Sequence, residues 1–115
     1  MFDPERMGRI GEMAVVASFL RDGWDVFTPA FGTTRCDLVV VKGDEVRRVE
    51  TKTTQNRRPS GRYEVNLMSF KGHGDRKKFD GSKSDVLAVY VEPTGRLHLL
   101  DSKKFDGRRS VTVEG

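Results

Sequence analysis

Within VRRVETKTT, residues 46–54, an acid and an amine stand two positions apart. The run otherwise alternates like a half-buried β-strand, and residues i and i+2 of a strand share a face. Glu50 and Lys52 therefore project side by side. Upstream, Asp37 opens the apolar run DLVVV, and Lys42-Gly43-Asp44-Glu45 separates the two segments. Gly-Asp is a favoured two-residue hairpin loop, because glycine accepts positive φ at the first central position. With that tip, Lys42 faces Glu45, Val41 faces Val46 and Asp37 faces Glu50. Facing side chains share a surface, with Cβ atoms about 4.5–5.5 Å apart. The spacing thus predicts two carboxylates and one amine gathered at the open end of a hairpin.

Two facing carboxylates repel unless a cation joins them. Lys52 supplies part of that charge and a divalent ion would supply more. An ion held by Asp37 and Glu50 would act as a Lewis acid on a phosphate and make bound water more acidic. Lys52 would hold or deprotonate the attacking water, or neutralise charge developing on the phosphorus oxygens. These are the parts of metal-assisted phosphodiester hydrolysis. A structural ion pair on a solvated sheet face satisfies the same spacing and is the competing reading. Cys36 is the single cysteine, and His73 and His98 are the only histidines. This excludes an internal disulfide or a multi-cysteine zinc centre and leaves hard cations on carboxylates, Mg²⁺ or Mn²⁺.

Charge is divided along the chain. Residues 1–50 carry 7 Lys and Arg against 9 Asp and Glu, whereas residues 51–115 carry 14 against 8. Eight of the bases (Arg57, Arg58, Arg62, Lys71, Arg76, Lys77, Lys78 and Lys83) fall in residues 55–83, against three acids. A polyanion is the natural partner for such a patch. The length of 115 residues suits a single domain. The apolar runs are far too short to span a bilayer and no leader pattern opens the chain, so a cytoplasmic protein is expected.

The elements that must position these groups are legible in outline. Asp3 can cap a helix, Pro4 suits its first position, and Met7, Ile10, Ala14 and Ala17 recur at helical spacing up to Asp22-Gly23. A helix over residues 4–22 follows. Glu12 lies on it in line with Val15, Val16 and Phe19, with Gly8 and Gly11 one turn before. It is either a fourth member of the site or a rim glutamate. The glycines would let another backbone or a nucleic acid approach closely. Strands are expected at residues 24–28, 37–41, 46–53, 63–67, 86–92 and 97–100, with glycines at 72, 74 and 81 disfavouring a long helix over 68–83. KKFDG occurs at 77–81 and again at 103–107, and reads as two basic turns anchored by Phe79 and Phe105.

The arrangement GTTRCDLVVV…VRRVETKTT resembles the PD-(D/E)XK nuclease superfamily, whose restriction-endonuclease-like fold is α/β, with an N-terminal helix packed on a central mixed sheet. It looks most like the small Holliday junction resolvases and a cyanobacterial-type homing endonuclease branch, in which a glutamine often stands where this chain has Glu50. The resemblance implies that Asp37 and Glu50 bind Mg²⁺, for which Mn²⁺ would substitute, with a backbone carbonyl near Thr51. It further implies that Lys52 positions the water, that Glu12 assists, and that the product is a 5′-phosphate and a 3′-hydroxyl. The bases Arg57, Arg58, Arg62, Lys71, Arg76, Lys77 and Lys78 would grip the DNA backbone. Gln55 and Asn56 are within reach of base edges in that picture. A duplex or junction needs two cuts, so a homodimer or homotetramer is expected. A non-catalytic DNA-binding module with a relic site, or a small basic RNA-binding protein, are the alternatives.

Overall fold

The computed structural model describes residues 3–32, 34–70 and 76–115, with only the backbone of Phe70 and Arg76. Helix α1 spans Pro4–Arg21. Asp3 Oδ1 accepts from the amides of Glu5 and Arg6 at 3.1 and 3.3 Å, satisfying two donors that a helix start leaves open. Gly23, at φ 88°, turns the chain out of the helix.

Nine strands follow among the described residues: β1 (Asp25–Phe27), β2 (Leu38–Lys42), β3 (Glu45–Thr54), β4 (Tyr63–Asn66), β5 (Ser69–Phe70), β6 (Arg76–Lys77), β7 (Val86–Val91), β8 (Arg96–Asp101) and β9 (Ser110–Val113). Five form the central sheet in the order β1-β2-β3-β7-β8. Its neighbours are antiparallel except β3 and β7, which run parallel, so the sheet is mixed. The hairpin register is the one the Gly43-Asp44 tip dictates, Lys42 opposite Glu45 through Leu38 opposite Val49. Asp37 lies just outside β2 rather than opening it.

Alternation of side chains divides the sheet into two faces. Val15 and Phe19 of α1 pack on Leu38, Val40, Val49 and Ala88. On the other face, Leu87, Val89 and Val91 of β7 meet the β4–β9 pair and Phe79. Gly11 is what lets α1 settle on β3. A Cβ there would collide with Thr53 Oγ1 and stand 2.9 Å from Thr53 Cβ. Gly8, by contrast, faces open space. Of the two helical glycines, one serves close backbone approach and the other leaves a groove.

The start of β7 is fastened to β3 by one polar clamp. Arg48 donates from its backbone amide, Nε and Nη2 to the Asp85 carboxylate at 2.8–3.2 Å, and Nη1 reaches Ser82 O at 3.0 Å. The two KKFDG segments pack together: Gly107 N donates to Phe79 O at 2.8 Å and Gly81 N to Asp106 Oδ1 at 2.9 Å. Phe79 is buried and Phe105 packs against the same core. Residues 81–83 and 102–105 are short 3₁₀ turns, and no long helix occupies the described part of residues 68–83.

Candidate active site

Among the described residues, the second half of β3 has a neighbouring strand on one side only. The amides of Asp85 and Glu92 donate to the carbonyls of Arg48 and Thr54, so even-numbered residues of β3 turn their backbone toward β7. Asp37 N donates to Val49 O at 3.0 Å, so odd-numbered ones face β2. Pairing with β2 stops at Val49, and the backbone of Thr51 and Thr53 therefore faces an uncovered edge. Asp37 fills part of the gap with its side chain. Its Oδ2 accepts from Thr51 N at 2.7 Å and from Thr51 Oγ1 at 3.2 Å. The Thr51 carbonyl points to the same edge, beside that carboxylate.

Glu50 and Lys52 occupy the face opposite α1, between the hairpin and the crossover that leads to β7. Glu50 is half-buried yet makes no hydrogen bond or ion pair with the described residues. Burial pushes its pKa up; Lys52 pulls it down, Asp37 pushes it up, and Lys83 and Asp80 contribute in opposite senses. Both side chains line a cleft of about 150 Å³ whose other walls include Arg35, Lys77, Lys78, Asp80 and Lys83.

Glu12 stands on the helix side, in a groove with Met7, Gly8 and residues 51–53. Partial burial and then the Asp37 carboxylate raise its pKa, with Arg9 opposing. Asp37 thus influences both Glu12 and Glu50. Lys52 borders both grooves, so the four expected residues surround one stretch of β3. Among the described residues no three acidic, histidine or cysteine side chains converge closely enough to hold one ion.

The donor set nonetheless suits a hard divalent cation: among the described residues, one Asp37 oxygen and the Glu50 carboxylate lack a protein donor, and the Thr51 carbonyl completes an all-oxygen set. Mg²⁺ usually keeps several waters, so two carboxylates and a carbonyl are a sufficient protein contribution.

The expected basic residues separate into groups. Lys77 and Lys78 line the Glu50 cleft. Arg57 is exposed at the bridge to Tyr63, and Arg58 lies 3.8 Å from Glu64. Arg62 is tied to β9, donating to Thr112 O at 3.0 Å, and borders a different groove with Arg96, His98 and Arg108. Lys71 lies outside the described residues, as does the side chain of Arg76. Arg35 and Asp80 were not singled out from the sequence, and Lys83 only as part of the basic run. Their place in the cleft depends on how two connections fold, which local pattern does not reveal.

A likeness to solved structures accompanies this geometry. The bacterial homing endonuclease I-Ssp6803I superposes with a TM-score of 0.86 at 19% identity, over 99% of this chain and 80% of that one. No curated protein matches in sequence. The restriction-endonuclease-like fold is shared, one helix on a mixed sheet. The family model for PD-(D/E)XK endonucleases matches residues 2–114, and the chain belongs to that family.

Proposed function

We propose that this chain is a single-domain, Mg²⁺-dependent DNA endonuclease with Asp37, Glu50, Lys52 and Glu12 as its working residues. The observation that carries the reading is the half-buried Glu50, without a partner among the described residues, beside Lys52 in a cleft walled by Lys77, Lys78 and Arg35, with Asp37 close enough to raise its pKa. Asp37, Glu50 and the Thr51 carbonyl would hold the ion, and Mn²⁺ would take its place. When bound, that ion supplies Lewis acidity toward the phosphate and toward water.

The chain's own groups do the rest. Lys52 orients the attacking water from the open side of β3 or takes its proton, and Glu12 steadies water from the helix side. The water oxygen loses a proton and bonds to phosphorus as the bond to the 3′ oxygen breaks, and that oxygen takes a proton from solvent, leaving a 5′-phosphate and a 3′-hydroxyl. Lys77, Lys78 and Arg35 hold the backbone in line. The fold likeness to a homing endonuclease favours duplex cleavage at a preferred sequence over junction resolution. Two strands need two centres, so a homodimer or homotetramer is the working form, acting in the cytoplasm.

The test is cleavage of labelled linear duplex, flap, four-way junction and single-stranded DNA with Mg²⁺ or Mn²⁺, with Asp37→Asn and Lys52→Ala alongside. Metal-dependent cutting lost in both variants is expected. Tight binding without cutting under either metal would make the chain a binding module with a relic site.

A further inference from the structure

The residues assigned to hydrolysis leave unused a groove of about 420 Å³ that begins at Lys52 and runs between the end of β3 and β4. Its walls are held together by backbone. Glu64 N donates to Asn56 O at 2.9 Å, and Thr54 Oγ1 donates to Glu64 O at 2.6 Å. Asn56 and Glu64 are thereby fixed side by side, and Asn66 stands two residues further on.

The chemistry of this groove differs from that of the Glu50 cleft. The cleft has Arg35, Lys77, Lys78 and Lys83, suited to phosphates. The groove has one cation in its lining, Lys52, and a carboxylate, Glu64, which also lies 3.8 Å from Arg58. A carboxylate repels a phosphodiester backbone. It accepts well from the exocyclic amine of cytosine, and asparagine amides pair with adenine through one donor and one acceptor.

The amides also differ in freedom. Gln55 Nε2 is committed to Glu92 Oε2 at 3.0 Å. Asn66 accepts the Met68 amide on Oδ1 at 2.8 Å, which fixes its plane and leaves its NH₂ to donate. The Asn56 side chain has no partner among the described residues. A paired strand segment of this kind is what the major groove of B-DNA admits, whereas the deep groove of duplex RNA does not.

We infer that this groove reads base edges of the DNA flanking the cut, with Asn56 and Asn66 as specificity-determining residues and Glu64 selecting against bases that present only acceptors. The inference rests on the endonuclease reading for the position of the cut. Even a fully extended path puts Asn56 at most about 13 Å from Lys52, so the positions read lie within about four base pairs of the cleaved bond.

The test uses the full chain, wild type beside Asn56→Ala and Asn66→Ala, on a randomised duplex library. The bound fraction is sequenced in Ca²⁺ and the cut ends in Mg²⁺. Wild type should show a preference in that window, and each substitution should flatten it at one position by roughly tenfold. Affinity for non-preferred sequences and the salt dependence should stay as they are. Both residues are exposed, so folding is not at risk. An unchanged base profile in both variants would overturn the inference, as would a uniform fall in affinity for every sequence, the mark of a phosphate contact. Because preference is read from binding, the two proposals fail separately. Cutting without preference removes this one, whereas preference without cutting removes the catalytic reading.

Discussion

Glu50 shows what a single residue of this site costs the fold. A carboxylate held half out of water with no hydrogen-bond donor among the described residues is unfavourable when ionised, and its raised pKa records this. Glu50→Gln should therefore stabilise the metal-free protein, by about 1 kcal/mol near neutral pH. The sign follows from linkage: the folded pKa lies above the unfolded one, so ionisation destabilises the native state. The gain should shrink as pH falls through the folded pKa, because protonated glutamate and glutamine then behave alike. Melting temperature of both proteins against pH checks this, with cleavage expected to vanish in the variant. An unchanged or lowered melting point at neutral pH would mean that Glu50 is better solvated than its position implies.

At the scale of elements, the α1–β3 contact and the Arg48–Asp85 clamp decide how firmly the site is held. Gly11→Ala gains about 1 kcal/mol of helix propensity, but the new methyl meets Thr53. Overpacking costs typically 1–3 kcal/mol, so a net loss of up to about 2 kcal/mol is expected. Adding Thr53→Ala should recover most of it, whereas Gly8→Ala should stabilise, all read by urea denaturation. The Arg48 guanidinium and backbone amide hold the Asp85 carboxyl below its usual range. Its contribution to stability is complete above the unfolded pKa of about 3.9 and is lost as pH falls through the lower folded value. The difference in stability between wild type and Asp85→Asn should accordingly close on acidification.

The hairpin is legible in the sequence because its tip chemistry and its alternation agree, Gly43 adopting φ 59° in the two-residue loop. α1 is legible from its cap and its spacing. The four residues expected to work together do surround one segment of β3, Asp37, Glu50 and Lys52 through the hairpin and Glu12 through the packing of α1 on β3. β9 is not legible: SVTV alternates, but its partner β4 lies far upstream and no local cue joins them. The division of the basic run is equally hidden. Whether an arginine meets the cleft or β9 depends on the crossover's path, which tertiary packing sets.

For the molecule as a whole, the sequence's charge imbalance becomes a spatial one, with the Glu50 cleft and its cations on one side of Lys52 and a nearly neutral groove on the other. Lys77→Ala and Lys78→Ala should each weaken DNA binding for all sequences and lower the salt slope by about 1. Titrations at several salt concentrations would show this, and a slope that does not move would place these lysines off the DNA. Analytical ultracentrifugation of the full chain should find a dimer or tetramer at working concentrations. A strict monomer that still cuts both strands would require two separate encounters.

The pairing of β4 with β9 also bears on the order in which the protein is made. The hairpin, α1 and β7 can assemble once about 100 residues have left the ribosome. The strand that flanks β4 is encoded after all of them. Until residues 110–113 emerge, Val65 and Leu67 lack part of their cover and the Glu64–Asn66 wall lacks its β9 partner. The residues proposed for hydrolysis are thus placed early and those proposed to read bases late. A nascent chain halted before Ser110 would hold its carboxylates in position without a finished surface for choosing where to cut.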